Sequence, residues 1–484
     1  MTRQLHPHQE RTLAMLRHSI AGGNRRLLVC SPTGSGKSVI KAAIIRGGLA
    51  KSNRALLTVP SITLVDQMVR MLATEDVHEV GVMQADHKLT APLMPVQVAC
   101  LATLARRHMA EPEIVLVDEA HVNNRHLIEL MNRWNKALWI GWTATPGTKG
   151  LGQIYDDLLI PTTTTELIDT GYLSPFKVFA PTHPDLSGIN IVAGDFHEGQ
   201  LSERMRGAQL VADVVDTWLQ LGCGRPTLVF AVDRAHAKVL QERFLVASVR
   251  ADYVDAHTSG EERDAIRQRI ERGETEVTVN IGCLTTGCDW PFISCIVLAR
   301  PTKSLMLYVQ IVGRGLRRAV GKADCLVLDH SDTTLRLGFI TDIRWGPLDD
   351  GLPNVANKRR KEAVEPQQCF ECHALMPKGE RRCPECGHEI KIVSGVRVAD
   401  GELIELGRTK ADMAEKQEWF SQLLGIAKQH GYQHGWVAHT YRRKFGKWPR
   451  GLAEIAKHAE PEVRNYVRHL LIRHAKTRSG RDAA

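Results

Sequence analysis

The chain has 484 residues, of which 43% are hydrophobic and 24% charged, and its formal net charge is +9 at pH 7. This is ordinary globular composition, and the length predicts about three domains. No run of 18 or more apolar residues occurs, which excludes a membrane span of the usual kind. The first ten residues contain no apolar segment of the signal-peptide type, so the sequence predicts an intracellular protein without a membrane partner.

The excess positive charge lies near the C-terminus. Residues 391–484 contain 18 Lys and Arg but 10 Asp and Glu. A solvated tail that aids solubility is one interpretation. A basic region that faces a polyanion is the interpretation we favour.

Short apolar runs alternate with helix-length segments up to about residue 345. The predicted strands of the first half are RLLVC (26–30), ALLTV (55–59), VQVAC (96–100), IVLVD (114–118) and LWIGW (138–142). Those of the second half are TLVFA (227–231), VRADYVDA (249–256), EVTVNIG (276–282), CIVLAR (295–300) and CLVLD (325–329). This alternation is typical of parallel sheets with helices on both faces, so the sequence predicts two consecutive α/β units.

Composition changes predict the domain boundaries. Gly171 and Pro175 interrupt the pattern near the join of the two units, and residues 181–197 are predicted to be a loop before a helix that begins near Glu198. The predicted parts are a first α/β lobe (1–168), a second α/β lobe (169–345), a polar linker (346–366), a small cysteine-bearing part (367–392) and a basic helical region (393–484).

The octapeptide SPTGSGKS (31–38), here called the phosphate loop, lies between a predicted strand and a predicted helix. This is the context of a phosphate-binding loop, in which glycines let backbone N–H groups surround the phosphates. Lys37 would reach the β- and γ-phosphates, and the Ser38 hydroxyl would ligate Mg²⁺. Because Ser31 stands where the full pattern has glycine, a chance glycine-rich turn is the alternative. The residues predicted to hold the nucleotide are Thr33, Gly34, Ser35, Gly36, Lys37 and Ser38.

The tetrapeptide DEAH (118–121) follows a predicted strand about eighty residues later. Asp118 suits the Mg²⁺ shell, and Glu119 suits orienting and deprotonating an attacking water molecule. An acidic helix N-terminus would be the alternative if the motif stood alone. The phosphate loop upstream favours the catalytic interpretation.

Together with other segments in the same order, these motifs resemble those of superfamily 2 helicases and translocases. The resemblance covers residues 1–345 and is closest to the branch that contains DNA-repair, branch-migrating and phage-encoded helicases. It implies two RecA-like lobes with ATP held in the cleft between them. It also implies that ATP hydrolysis drives movement along, or unwinding of, a nucleic acid.

Three segments of the first lobe carry the resemblance further. LHPHQ (5–9) resembles the adenine-reading motif, with Gln9 as the base contact, and VPSITLVDQ (59–67) and ATLARR (102–107) resemble strand-contacting motifs. The residues thereby assigned to nucleic-acid contact are Pro60, Thr63 and Thr103.

A fourth segment, TATP (143–146), resembles the motif that couples hydrolysis to movement. It assigns coupling roles to Thr143 and Thr145. His121 of DEAH joins the catalytic set.

In the second lobe, TLVFAVDRAHA (227–237) and VDAHTSGEER (254–263) resemble the fourth motif and the segment after it. LTTGCDWP (284–291) resembles the fifth motif and QIVGRGLR (310–317) the sixth. The residues assigned to the nucleotide are Gly287, Asp289 and Gln310. Those assigned to the nucleic-acid backbone are Thr285 and Thr286.

Arg314 and Arg317 of the sixth motif are three residues apart, so they project from one helix face. Placed across the cleft, they would neutralise charge on the γ-phosphoryl group, as arginine fingers do for about 10³–10⁵ in rate. Hydrolysis would then depend on closure of the two lobes. A solvated basic helix end is the alternative.

The motif spellings favour DNA over RNA as the polymer. The chain shows DEAH and TAT where DEAD-box RNA helicases carry DEAD and SAT, and it has no room for their extra upstream aromatic residue. A grip on phosphates implies binding that weakens as salt rises. An RNA helicase, and a nucleotide-gated adaptor that binds nucleic acid without unwinding it, are the alternatives.

Four cysteines with the spacing C-x2-C-x10-C-x2-C predict one tetrahedral Zn²⁺ site made by Cys369, Cys372, Cys383 and Cys386. A disulfide pair is disfavoured in the cytosol, and His373 or His388 could compete as a ligand. With no open coordination position the ion would be structural, and it would contribute about 10 kcal/mol to folding this part of the chain. The spacing does not choose between nucleic acid and protein as its partner.

The segment HTYRRKFGKWPRGL (439–452) interleaves cations with aromatic residues. Cations that hold phosphates beside aromatics that stack on bases suit a single strand. The equal alternative is that the aromatics pack inside a helical domain. The cations predicted to contact nucleic acid are Arg442, Arg443, Lys444 and Lys447. The cofactors predicted for the whole chain are ATP, Mg²⁺ and structural Zn²⁺, and the predicted location is the cytoplasm of a bacterium or a phage-infected host.

Overall fold

The fold is that of a computed structural model, which describes residues 4–84, 87–104, 106–107, 109–122, 125–285, 289–351, 366–390, 413–445, 447–449, 451–460, 462–464, 466–467 and 470. The chain divides into two compact units, Met1–Ile392 and Val393–Ala484. Among the described helices, none combines the length and apolar character that a membrane crossing requires.

A seven-stranded parallel sheet forms the first lobe. Its strands are β1 (Arg26–Cys30), β2 (Ala55–Val59), β3 (Val80–Met83), β4 (Val96–Cys100), β5 (Ile114–Val117), β6 (Leu138–Thr143) and β7 (Asp157–Leu159), in the spatial order β3-β4-β2-β5-β6-β1-β7. Its helices are α1 (Pro7–Ala21), α2 (Lys37–Leu49), α3 (Thr63–Thr74), α4 (Leu101–Leu104) and α5 (Arg125–Arg133). The register places Cys30 opposite Thr143, so the phosphate loop leaves the sheet beside TATP.

A six-stranded parallel sheet forms the second lobe. Its strands are β8 (Phe176–Phe179), β11 (Thr227–Phe230), β12 (Ala251–Val254), β13 (Val277–Asn280), β14 (Cys295–Leu298) and β15 (Cys325–Asp329), in the order β12-β13-β11-β14-β15-β8. A separate hairpin contains β9 (Ile191–Val192) and β10 (Asp195–Phe196). The helices are α6 (Thr164–Asp169), α7 (Glu198–Met205), α8 (Ala208–Thr217), α9 (Arg234–Val246), α10 (Gly260–Glu271), α11 (Leu305–Gly315) and α12 (Thr333–Leu337).

All ten predicted strands are present, with ends shifted by at most a few residues. Within the two parallel sheets three strands were not predicted, namely β3, β7 and β8, and each lies at an edge of its sheet. The hairpin β9–β10 lies inside the segment predicted to be a loop, which corrects that part of the prediction. The two-lobed parallel architecture itself is confirmed.

After α12 the chain returns to the first lobe through residues 339–351, here called the return segment. Leu348 packs against the first-lobe core. The turn Leu151–Gln153, which follows TATP, receives the end of the segment: Gly152 N donates to Asp349 O at 2.7 Å, and Gln153 Nε2 donates to Asp350 O at 2.7 Å. The first residues of the predicted linker therefore lie on the first lobe, and residues 352–365 are outside the described part.

Residues 366–390, here called the cysteine module, contain β16 (Gln367–Gln368) and β17 (Leu375–Met376). The module lies against the edge strand β8. Ala374 forms an antiparallel bridge with Phe179, and Ala180 N donates to His373 O at 3.0 Å. The module's buried side chains share a core cluster with second-lobe residues such as Trp218. The module also covers the edge strand β8, which would otherwise present free backbone groups.

The second compact unit contains α13 (Met413–His430) and α14 (His434–Phe445). The two helices pack through aromatic pairs, with the rings of Phe420 and Tyr441 edge to face at 5.8 Å and those of Trp419 and Phe445 at 5.9 Å. The boundaries proposed from the sequence for this and the other parts stay predictions.

Candidate functional site

The phosphate loop has the backbone shape that its glycines permit. Gly34 has φ +85° and Gly36 φ +78°, values that side-chain-bearing residues rarely adopt. A Cβ on Gly36 would lie 2.5 Å from Gln9 Nε2. The loop then leads directly into α2, whose first-turn N–H groups suit a phosphate anion. These residues therefore fit the triphosphate of ATP.

Lys37 lies at the start of α2 with its ammonium group folded onto the loop. Its Nζ donates to Ser31 O at 3.0 Å and to Pro32 O at 3.2 Å. Burial lowers the pKa of Lys37 to about 8, although the nearby carboxylates of Glu119 and Asp118 act in the opposite direction. A phosphate group would supply the negative charge that this poorly solvated cation lacks.

The DEAH residues follow β5, beside the phosphate loop. Asp118 forms an ion pair with Lys41 of α2, with 2.5 Å between Nζ and Oδ1. Burial alone would raise the pKa of Asp118, but the charge and hydrogen bond of Lys41, together with the charge of Lys37 and the backbone N–H of Glu119, keep the pKa below its usual value. The carboxylate of Asp118 and the hydroxyl of the half-buried Ser38 are oxygen ligands of the kind Mg²⁺ takes, so the site fits that ion.

His121 connects DEAH with TATP. Its Nδ1 lies 3.0 Å from Thr143 Oγ1 and 3.4 Å from Glu119 Oε2, and Thr143 Oγ1 also accepts a hydrogen bond from Thr145 N at 2.9 Å. Burial lowers the pKa of His121, against the effect of Glu119, so the ring is neutral at pH 7. Glu119 itself has φ +48°, a strained conformation of the kind found at functional sites.

Gln9, the residue predicted to read adenine, is buried next to Gly36. Its Oε1 accepts from His6 N at 2.9 Å, and its Nε2 lies 3.4 Å from the hydroxyl of Tyr172. The Tyr172 ring lies edge-on to His6 and His8, at 4.6 and 4.5 Å between centroids. Sequence analysis missed Tyr172 because it comes from the join between the lobes, 163 residues after Gln9.

Helix α11 of the second lobe lies against the phosphate loop of the first. A Cβ on Gly313 would be 2.7 Å from Thr33 Cβ, and a Cβ on Gly34 would be 3.2 Å from Arg317 Cγ. A cavity of about 120 Å³, lined by both lobes and the return segment, lies beside this contact. The lobes therefore touch at the loop and leave space next to it.

The arginines of the sixth motif also contact their own lobe. Arg314 is buried and donates from Nε to Thr285 O at 2.9 Å. Arg317 Nη1 lies 2.6 Å from Asp289 Oδ1, so the residue predicted to touch the ribose has a cationic partner here. Gln310 is buried on α11. Gly287 lies outside the described residues.

The residues predicted to contact nucleic acid follow the carboxyl ends of strands. Pro60 and Thr103 come after the neighbouring strands β2 and β4, so both lie at one edge of the sheet, as does the start of α3 at Thr63, whose side chain is not described. Thr285 is buried, and its hydroxyl donates to Gly282 O at 2.5 Å. Thr286 lies outside the described residues.

In the C-terminal unit, each of the two interpretations of the aromatic residues applies to some of them. Tyr441 and Phe445 pack in the core, whereas Trp448 is 40% exposed with the Arg442 guanidinium 4.6 Å from its ring centroid. Lys444 Nζ lies 4.2 Å from the Trp419 ring centroid. The four cations predicted to contact nucleic acid, Arg442, Arg443, Lys444 and Lys447, are all exposed to solvent.

The four thiols of the cysteine module converge. Their Sγ atoms all lie within 4.8 Å of one another, with 3.7 Å between Cys369 and Cys386 and 3.6 Å between Cys372 and Cys383. A tetrahedron with Zn–S bonds of about 2.3 Å has edges of about 3.8 Å, so the cluster has the size that zinc needs. Neither nearby histidine belongs to this cluster.

Two family models match the chain. Residues 2–148 match the model described as "Type III restriction enzyme, res subunit", and residues 210–319 match "Helicase conserved C-terminal domain". The "51.5 kDa protein" of a Lactococcus phage (isolate 7-9) is 26% identical over 407 residues, which are 82% of this chain and 86% of that protein.

Two further similarities concern a yeast protein and a solved structure. The "Putative ATP-dependent helicase IRC3" of Saccharomyces cerevisiae is 31% identical over 355 residues, 67% of this chain, and the chain spans about half (51%) of that protein's length. The fragment structure of a "putative HsdR subunit of a type I restriction enzyme" from Vibrio vulnificus YJ016 has a TM-score of 0.54 at 18% identity, covering 73% of this chain and 68% of that one.

Proposed function

Because the chain belongs to the superfamily 2 helicases, with their ATP-hydrolysing pair of lobes, we propose that it couples ATP hydrolysis in the cleft between the lobes to movement along DNA. The observation that carries this proposal is the approach of α11 to the phosphate loop, with Gly313 against Thr33. Since residues of both lobes border the loop, closure of the cleft and hydrolysis are linked. This linkage is what a motor requires.

In the proposed mechanism Lys37 and the N–H groups of the phosphate loop bind the β- and γ-phosphates. Ser38 and Asp118 would hold Mg²⁺, which would supply positive charge that neutralises the phosphates. Glu119 orients and deprotonates the attacking water. Arg314 and Arg317 stabilise the charge of the transferring phosphoryl group from the other lobe, and Arg317 exchanges its pairing with Asp289 for the phosphate as the cleft closes.

The link from His121 through Thr143 to Thr145 supports a coupling role. The three residues form one hydrogen-bonded chain between DEAH and TATP. A change in the position of Glu119 on loss of the γ-phosphate would therefore shift TATP and the turn after it. That turn carries the end of the return segment, so the shift would reach the second lobe.

DNA is the proposed polymer because of the DEAH and TAT spellings. Pro60, Thr63 and Thr103 hold the strand on the first lobe, and Thr285 and Thr286 hold it on the second. The exposed cations of α14 and its neighbour Lys447 add a phosphate-binding surface whose affinity falls with salt. The cysteine module holds a structural Zn²⁺, and the protein acts in the cytoplasm.

The test is a comparison of ATPase rates with single-stranded, duplex, forked and four-way DNA and with matching RNA. We expect DNA to raise the rate at least tenfold, and Lys37→Ala or Glu119→Gln to abolish it. A rate that no nucleic acid changes contradicts the motor, and stronger stimulation by RNA contradicts the choice of DNA. Strand displacement on a fork separates unwinding from translocation alone and from a non-motor adaptor.

A further inference from the structure

Lys41 is a charged residue in the site that no motif assigns. It lies one helical turn after Lys37, on the same face of α2. Its side chain is 2% exposed, and its Nζ lies 2.5 Å from Asp118 Oδ1 and 5.9 Å from the ring centroid of Trp142. The Asp118 side chain, by contrast, is 18% exposed. The ammonium group therefore approaches the carboxylate from the protein interior, and the carboxylate keeps access to the cleft.

A buried ammonium group is costly unless it is paired and hydrogen-bonded. Lys41 meets this condition through Asp118, the carboxylate expected in the Mg²⁺ shell. Mg²⁺ seeks the charge of the same carboxylate, and two cations on one carboxylate repel each other. Lys41 and Mg²⁺ therefore compete electrostatically for Asp118, without needing the same oxygen.

We propose that Lys41 is a positioning residue for the metal: it holds one oxygen of Asp118 and weakens binding of Mg²⁺ to the nucleotide-free protein. Mg²⁺ is commonly bound by one or two carboxylates together with substrate phosphates. With Asp118 already compensated by Lys41, the phosphates must supply the remaining charge, so metal binds firmly only as the nucleotide complex. The inference rests on the proposed assignment of Asp118 to Mg²⁺.

The test measures Mg²⁺ binding to the nucleotide-free full chain by titration calorimetry, and by thermal unfolding at constant ionic strength. Lys41→Met removes the charge and keeps most of the side-chain length. We expect the half-saturating Mg²⁺ concentration to fall at least tenfold in this variant, because Asp118 is left without its cation. Lys41→Arg, which keeps the charge, and Lys51→Met, at an exposed lysine just after α2, should both stay within about twofold of the parent protein.

A purely structural lysine gives a different result. If Lys41 serves only to fill space beneath Trp142, Lys41→Met leaves the Mg²⁺ affinity unchanged, and that outcome overturns the proposal. Should Lys41→Met not fold, Lys41→Gln provides the same comparison, because its amide can still donate to Asp118 without a charge. A glutamine variant that folds at no Mg²⁺ concentration assigns Lys41 to the core and also overturns it.

Asp118→Asn tests the metal role of Asp118 separately from the positioning role of Lys41. If this variant leaves the Mg²⁺ dependence of nucleotide binding unchanged, the metal role of Asp118 is wrong and the inference about Lys41 fails with it. If Asp118→Asn weakens Mg²⁺-nucleotide binding while Lys41→Met matches the parent protein, only the inference about Lys41 fails. The double variant Lys41→Met with Asp118→Asn should not show the increased Mg²⁺ affinity of the Lys41→Met variant.

Discussion

Single residues in this site have partners on both sides of the cleft. Arg317 is an example, because its Cγ lies close to Gly34 of the first lobe while its guanidinium group pairs with Asp289 of the second. In the proposed mechanism Arg317 exchanges Asp289 for the phosphate of the nucleotide. The free-energy cost of this exchange would make the arginine respond to the nucleotide.

The buried Arg314 gives the sharpest residue-scale prediction. We expect Arg314→Ala to lower kcat of the nucleic-acid-stimulated ATPase at least about a hundredfold, with a smaller change in KM for ATP, because an arginine finger acts on the transition state. The neighbouring Arg318 is exposed, and Arg318→Ala is the matched control that should keep kcat. A kcat that survives in folded Arg314→Ala protein would show that the residue is structural.

Two buried histidines of the second lobe predict sensitivity to acid. Burial lowers the pKa of His236 and of His330 to about 4, whereas an unfolded chain titrates near 6.5. Between pH 6.5 and 4 the unfolded state therefore binds more protons, and the free energy of unfolding falls as pH falls.

We expect each of these histidines to remove up to about 3 kcal/mol over that window, at about 1.4 kcal/mol per pKa unit. Denaturant unfolding across pH 4–7 compares the free energy of unfolding of the parent protein with that of His236→Gln. The part of the pH dependence that is due to His236 should be absent in the variant. His18→Gln, at an exposed position of α1, should leave the pH profile as it is. An unaltered profile in His236→Gln would refute the assignment.

The motif residues could be named as candidates from the sequence because each motif is local. Lys37, Asp118 and Arg314 stand in recognisable strings at the ends of strands or on a helix. Lys41 and Tyr172 were not predictable, because their roles depend on partners 77 and 163 residues away. Helical spacing from Lys37 was the one signal that pointed to Lys41, and it does not say that the side chain is buried beside a carboxylate.

At the scale of secondary-structure elements, all central strands and the edge strand β12 were predictable, whereas the edge strands β3, β7 and β8 were not. A strand buried on both faces is a nearly continuous apolar run, as in Ala55–Val59, where Thr58 is the one polar residue. The edge strands β3, β7 and β8 are as short as several predicted strands, but each contains a residue that breaks or shortens its apolar run, namely Gly81, Asp157 and Lys177. The hairpin β9–β10 was missed because each of its strands has only two residues.

The contact of α11 with the phosphate loop yields a prediction about an element. Gly313→Ala places a methyl group 2.7 Å from Thr33 Cβ, which pushes the helix away from the loop. We expect the stimulated ATPase rate to fall at least tenfold while the melting temperature changes little. Loss of activity measured beside an intact unfolding curve is the check.

Gly47→Ala is the control for this change, because a Cβ at Gly47 of α2 meets nothing within 4 Å. That variant should keep its ATPase rate and gain about 0.5–1 kcal/mol of stability from the better helix former. Equal activity of Gly313→Ala and Gly47→Ala would mean that the close approach of α11 is not needed for hydrolysis.

At the scale of the whole molecule, the cysteine module is continuous with the motor. Cys369 and Cys383 are buried in a cluster with Phe179 and Trp218. Sequence spacing predicted the metal ligands but could not show this packing, because the module's neighbours lie about 150–200 residues upstream. Metal in the module should therefore stabilise the second lobe as well.

We expect Cys383→Ser to lose the bound zinc and to lower the melting temperature of the full chain by about 5–10 °C, the effect of a few kcal/mol in a domain of this size. Metal analysis measures the bound zinc, and calorimetry measures the melting temperature of the same sample. Cys223→Ser, at an exposed cysteine of the second lobe, should change neither. A large loss of zinc without a change in melting temperature would show that the module folds independently of the motor.

The return segment has a consequence for how the cleft can open. The polypeptide passes between the lobes first between β7 and α6, and again where Asp349 reaches the turn at Gly152. Two lobes connected at two separate points rotate most easily about the line through those points. A wide separation of the lobes would have to break one of the two connections. Exchange of hydrolysed nucleotide for ATP would then occur by rotation of the lobes about a fixed hinge axis. Each cycle would return α11 to the same position on the phosphate loop.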